Sequence, residues 1–98
     1  MSRCYVYILK CSDGTYYTGS TRYLPERIRK HQSGKAANYT RKRRPLELVY
    51  YETYDRIDYA YEREKQIQGW SRAKKEALVN GKRDQLPKLA RRRARRKK

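Results

Sequence analysis

Cysteine and histidine are scarce in this chain, with two Cys and one His among 98 residues. That supply does not favour a structural zinc site, whose four ligands are ordinarily Cys and His. It does not favour a disulfide either. Cys4 and Cys11 stand at the two ends of one predicted strand, and the extended chain between them spans roughly 20 Å, far beyond S–S reach. Reduced thiols in a cytoplasmic protein are the expectation. Long hydrophobic runs are also missing. No stretch is apolar enough for a signal peptide or a membrane span. Phenylalanine is absent and tryptophan occurs once, so eleven tyrosines supply the aromatic surface. Tyrosine can serve a core, a hydrogen bond or a stacking platform.

Acidic residues are few: ten Asp and Glu face 27 Lys and Arg, a net charge of +17. The C-terminal run RRRARRKK cannot bury apolar surface and is expected to be a solvated, disordered tail over 86–98. Without the last eleven residues the body still carries 19 basic against 10 acidic side chains. A basic body with a basic tail favours polyanions through phosphate contact and counterion release. An anionic membrane surface is a weaker candidate, because no helix pairs a strong apolar face with a Lys/Arg face. One domain, residues 1–85, is what this length can fold.

Residues 4–10, CYVYILK, read as a strand, and TYYTGS after Ser12-Asp13-Gly14 reads as its hairpin partner. A three-residue loop with Gly14 left-handed pairs Tyr7 with Gly19 and Leu9 with Tyr17. Tyr7 and Tyr17 then become diagonal neighbours on one face. LPERIRKHQS, residues 24–33, has a proline in its first turn, Glu26 near the positive dipole end and Gly34 as a stop, so a helix is predicted with Leu24 and Ile28 inward. Residues 35–45 are a basic connection without a period. LELVYYETY, 46–54, is the best strand pattern. Asp55 is expected to cap a helix over 56–68, with Asp58 in its first turn. Ser71 is expected to cap a last short helix ending at Gly81. The order β-β-α-β-α-α predicts an α+β fold, a small three-stranded antiparallel sheet flanked by helices.

Three features need a second reading. Ile57, Ala60, Tyr61 and Ile67 define the inner face of the 56–68 helix, and the same stripe passes through Glu64. A carboxylate there must be paired, protonated or bound to metal; a salt bridge to a nearby Arg is the plainest option. Arg27 and His31, four apart, share a helix face and can meet one phosphate, or can belong to a solvated basic face with Arg29 and Lys30. His31 is the only side chain whose ordinary pKa lies near neutrality. Tyr7 and Tyr17 can be aromatic packing across a hairpin.

Taken together these residues resemble the GIY-YIG nucleases. YVY at 5–7 stands where that family carries GIY, and YTG at 17–19 where it carries YIG, ten residues apart from tyrosine to tyrosine. The family's essential arginine matches Arg27, its following histidine or tyrosine matches His31, and its metal-binding glutamate matches Glu64, four residues after the small Ala60. The likeness spans about residues 3–80 and is nearest to the short, stand-alone bacterial members. Tyr5 and Thr18 depart from the triplets, and Ser20 and Thr21 stand where some members have a lysine, so a helper role for that lysine does not carry over. Asn80 is a weaker match to an asparagine of some members.

The resemblance implies hydrolysis of DNA phosphodiester bonds with one divalent ion, Mg²⁺ or Mn²⁺, held by Glu64. One carboxylate suffices for Mg²⁺, which keeps waters and substrate oxygens. Arg27 would meet phosphate charge, Tyr17 would orient water or phosphate, and either Tyr7 or His31 would be the base. Arg41, Lys42, Arg43 and Arg44, with Arg91, Arg92 and Arg93 of the tail, would hold the backbone without reading sequence. Structure-selective cutting by a cytoplasmic monomer follows, with DNA the substrate and RNA a second candidate. Two rival readings keep the charge and drop the chemistry: a catalytically silent nucleic-acid-binding module, and a structural RNA-associated protein.

Overall fold

A computed structural model describes residues 3–85. Strands β1 (Cys4–Lys10), β2 (Tyr16–Thr21) and β3 (Glu47–Tyr54) form one sheet in the order β2-β1-β3, both pairs antiparallel. Helices α1 (Leu24–Gln32) and α2 (Asn38–Arg41) lie between β2 and β3, and α3 (Ile57–Gln68) and α4 (Arg72–Gln85) follow. The protein is therefore α+β, as its order of elements predicts.

The hairpin closes as its turn chemistry demands. Cys11 N–H donates to the Thr15 carbonyl (2.8 Å) and Gly14 N–H to the Cys11 carbonyl (2.9 Å). Gly14 takes φ +88°, where a side chain would be strained. Asp13 Oδ1 accepts from the Thr15 amide and hydroxyl at 3.1 and 2.7 Å. This loop sets the pairing of Tyr7 with Gly19 and Leu9 with Tyr17.

Both faces of β1 are covered, which explains its continuous rather than alternating hydrophobicity. Cys4, Val6 and Ile8 pack with Tyr50 against Ala60, Ile67 and Val79 of α3 and α4. Tyr7, Leu9 and Cys11 pack with Leu24 and Leu46 on the α1 side. Both thiols are free and buried. On the α3 side, Glu52 accepts from Tyr50, from Tyr54 Oη (2.7 Å) and from Arg63 Nε and Nη2 (2.9 Å each), tying α3 to β3.

Four expectations need correction. The segment 35–45 contains α2, a single turn too short to show a period. Tyr61 is not inward but 52% exposed, lying over Lys65 at 4.9 Å; Ala60 and Ile67 are the fully buried positions of α3. Asp55 caps nothing: the N-cap of α3 is Arg56, in extended backbone, paired with Asp58 at 3.0 Å. The last helix runs through Gly81 to Gln85. A Cβ at Gly81 would meet nothing within 4 Å, and a helical glycine costs only about 1 kcal/mol. Ser71 does cap α4, its Oγ accepting from Lys74 N–H at 3.1 Å. Among the described residues no helix is long and apolar enough to cross a membrane.

Candidate active site

The site assembles around β2. Its Tyr17 and Gly19 face α1 and its Thr18 and Ser20 face α3, so side chains from both layers meet across one strand. The Tyr7 ring crosses from β1 over Gly19, where there is no side chain to stop it. It is fully buried, and its hydroxyl reaches His31 Nε2 at 2.8 Å.

His31 is not on a solvated face. It is 1% exposed, with Tyr7 and Tyr17 edge-on to its ring at centroid distances of 5.7 and 5.2 Å. Its other nitrogen, Nδ1, lies 2.9 Å from Thr40 Oγ1. We assign the Thr40 hydroxyl hydrogen to the Ala37 carbonyl (3.2 Å), which leaves its oxygen to accept from His31. Nδ1 therefore carries the imidazole hydrogen, Nε2 is an acceptor, and the Tyr7 O–H donates to it. Burial, with the Arg27 charge adding to it, holds His31 down at about 4 from an ordinary 6.5, so the ring is neutral at pH 7.

Burial pushes Tyr7 up to about 12; Arg27 beside it pulls the other way, and Tyr17 and Glu64 add to the rise. Tyr17 is raised by burial and by Glu64, against Arg27. These mutual fields put Tyr7, Tyr17, Arg27 and Glu64 within one electrostatic neighbourhood. Glu64 is half-buried and makes no salt bridge among the described residues. Ser20 Oγ donates to its Oε1 at 2.5 Å and Gln68 Nε2 to its Oε2 at 2.8 Å. The Arg partner that periodicity suggests is replaced by two neutral donors.

The structure joins Tyr7, Tyr17 and His31 by direct contact, with the charges of Arg27 and Glu64 acting on both tyrosines, and adds Thr40, Ser20 and Gln68, which the sequence reading missed. Gln68 carried a signal, since it sits four residues from Glu64 on the same helix. Thr40 and Ser20 carried none, because their partners lie nine and 44 residues away. Tyr39, also missed, stacks on Tyr17 at 6.0 Å with its rings 27° apart.

The basic segment divides. Arg43 pairs with Asp13 (3.0 Å), donates to the Tyr39 carbonyl (2.9 Å) and lies 3.8 Å over the Tyr39 ring. Arg44 donates to the carbonyls of Arg41 and Gln32 at 3.1 and 3.2 Å. Both therefore brace the connection, whereas Arg41 and Lys42 are exposed with no ion-pair partner among the described residues. Arg91, Arg92 and Arg93 lie outside the described residues.

The donors near Glu64 suit a hard cation. Ser20 sets a neutral oxygen beside Glu64, and two residues earlier on the same strand the Thr18 hydroxyl is buried without a hydrogen-bond partner among the described residues. No group of three or more His, Cys, Asp or Glu that could cage a metal occurs among the described residues. A lone carboxylate with neutral oxygens fits Mg²⁺ or Mn²⁺, which retain much of their water.

Comparison with known proteins adds a family. A family model described as the GIY-YIG catalytic domain matches residues 3–77. A UPF0213 protein of Staphylococcus saprophyticus is 45% identical over 80 residues, covering 82% of this chain and 98% of that one. One of Natronomonas pharaonis is 49% identical over 75 residues, covering 76% and 88%. The solution structure of a UPF0213 protein from Bacillus halodurans aligns with a TM-score of 0.55 at 42% identity, covering 92% of this chain and 99% of that one.

Proposed function

The chain belongs to the GIY-YIG family, and from that premise we propose that it is a divalent-metal-dependent endonuclease that cuts DNA phosphodiester bonds according to DNA structure rather than base sequence. The observation that supports this reading is the buried Tyr7–His31 contact, with Arg27 of α1 acting on it and Glu64 of α3 bound to Ser20 of β2. DNA is the substrate, with RNA the alternative polyanion. The protein acts as a monomer, and a cytoplasmic location is supported by the free thiols of Cys4 and Cys11.

Glu64 would hold the ion, which when bound supplies Lewis acidity to a phosphate oxygen and to the leaving oxygen. Arg27 grips the non-bridging oxygens as their charge grows. Tyr7 lies too high, at about 12, to wait as a free phenolate. With the tautomer assigned above its O–H donates to His31 Nε2, so it works as a relay. As a water oxygen bonds to phosphorus and the P–O bond to the leaving group breaks, the water proton would pass to Tyr7 Oη, buried in the free protein and so reached only with substrate in place, and the Tyr7 proton to His31. Thr40 keeps the ring in the receptive tautomer. On this reading Tyr7 and His31 act in series as the base, and Tyr17 orients the water. Arg41 and Lys42, with Arg91, Arg92 and Arg93, hold the backbone through salt-sensitive contacts, while Arg43 and Arg44 brace the segment that presents them.

The test is cleavage of linear, branched and single-stranded DNA with Mg²⁺ or Mn²⁺. Wild type should nick at least one form, and chelation should stop it. Glu64→Ala should abolish cutting yet bind DNA as before. A wild-type protein that binds every form and cuts none with either ion would leave the silent binding module as the function.

A further inference from the structure

Resting on the metal-dependent reading above, we propose that Ser20 and Gln68 are positioning residues that clamp the Glu64 carboxylate in one orientation for the divalent ion. Each carboxylate oxygen has a separate tether. Ser20 Oγ reaches Oε1 from β2 at 2.5 Å, and Gln68 Nε2 reaches Oε2 from the next turn of α3 at 2.8 Å. Gln68 is itself pinned, because Nε2 also donates to the Thr18 carbonyl at 3.2 Å. Its two amide hydrogens thus have two acceptors, and the opposite amide orientation would set its oxygen against both. The carboxylate is therefore tied to sheet and helix at once.

The chemistry of the tethers matters as much as their geometry. A carboxylate oxygen has two lone pairs, and each tether uses one, leaving one per oxygen for a cation. Both donors are neutral. An Arg or Lys in either place would cancel the charge that attracts the ion; Ser and Gln fix the group and leave its charge intact. Such partners of a metal ligand commonly govern affinity by preventing its reorientation. Gln68 is otherwise exposed, so truncating it opens no cavity.

The experiment measures Mn²⁺ affinity of the DNA-free protein by water-proton relaxation, beside melting temperature and DNA affinity in chelator. Ser20→Ala and Gln68→Ala should each weaken Mn²⁺ binding on the order of 10-fold. Melting temperature and metal-free DNA affinity should stay at wild-type values, and Ser20→Thr should restore binding by keeping the hydroxyl. Unchanged Mn²⁺ affinity in both Ala variants overturns the clamp, as does a loss that tracks melting temperature and is not rescued by Ser20→Thr. Glu64→Ala separates the two levels. If Glu64→Ala loses Mn²⁺ while the clamp variants keep it, the clamp alone is wrong; if Glu64→Ala keeps it, the metal reading of Glu64 is wrong and the clamp falls with it.

Discussion

A methyl group at Gly19 would sit 2.5 Å from Tyr7 Oη, inside contact distance, because the Tyr7 ring lies directly across that residue. The glycine of YTG is thus needed for what passes over it. Gly19→Ala should push a ring with no free space around it, at a cost of about 1–3 kcal/mol, and break its bond to His31. Urea denaturation should show the destabilisation, and single-turnover cleavage should fall at least about tenfold. Wild-type behaviour in both would mean that the ring position does not matter.

Thr40 controls a tautomer from outside the sequence motif. Thr40→Val keeps the shape and leaves the His31 Nδ1–H buried without an acceptor, costing about 1–3 kcal/mol. Imidazole ¹⁵N shifts should report loss of the pure Nδ1–H form, and cleavage should drop; Thr40→Ser should retain both properties. An unaltered ¹⁵N spectrum in the Val variant would refute the assignment.

The pH profile distinguishes relay from phenolate. His31 is held down at about 4, so its ring stays unprotonated and open as an acceptor across the neutral range. Single-turnover rates should form a plateau through neutrality and fall as pH drops toward about 4. A base that had to ionise at about 12 would instead give rates rising tenfold per pH unit. The same His31 shift has a stability consequence. The unfolded chain takes a proton near 6.5 and the native one only near 4, so native stability should decline as pH falls between those values.

Glu52 offers a control away from the chemistry. Burial works to raise its pKa, but hydrogen bonds from Arg63, Tyr50 and Tyr54 outweigh it and hold the carboxyl below its ordinary value. Its contribution to stability is therefore present above the ordinary carboxylate range and lost as pH falls through the lowered value. Glu52→Ala leaves Arg63 and two phenols without their acceptor, and should cost about 2–4 kcal/mol, because the pair is largely though not wholly buried. Cleavage per folded molecule should not change. A variant as stable as wild type at pH 7 would show that α3 is held by its apolar contacts alone.

How legible each part was follows from the distance over which its cause acts. The hairpin register was readable because Gly14 and a three-residue loop decide it locally. Helix α1 was readable because Pro25 and Gly34 bracket it. Helix α2 was not, since four residues make one turn and no period. Tyr61 was misplaced because an apolar stripe on a helix reveals its inward side only to within a residue or so, and packing chose Ala60 and Ile67.

The residue order alone determined the α+β class and every element but α2, the paired strands of Tyr7 and Tyr17, the shared face of Arg27 and His31, and Glu64 as a charge out of place. Only tertiary structure decided what that charge touches and which His31 nitrogen bears a hydrogen. Those facts depend on Ser20 meeting Glu64 across 44 positions and Tyr7 meeting His31 across 24. Side-chain hydrogen bonds act within about 3 Å, and such closeness between distant positions exists only after β2, α1 and α3 have packed.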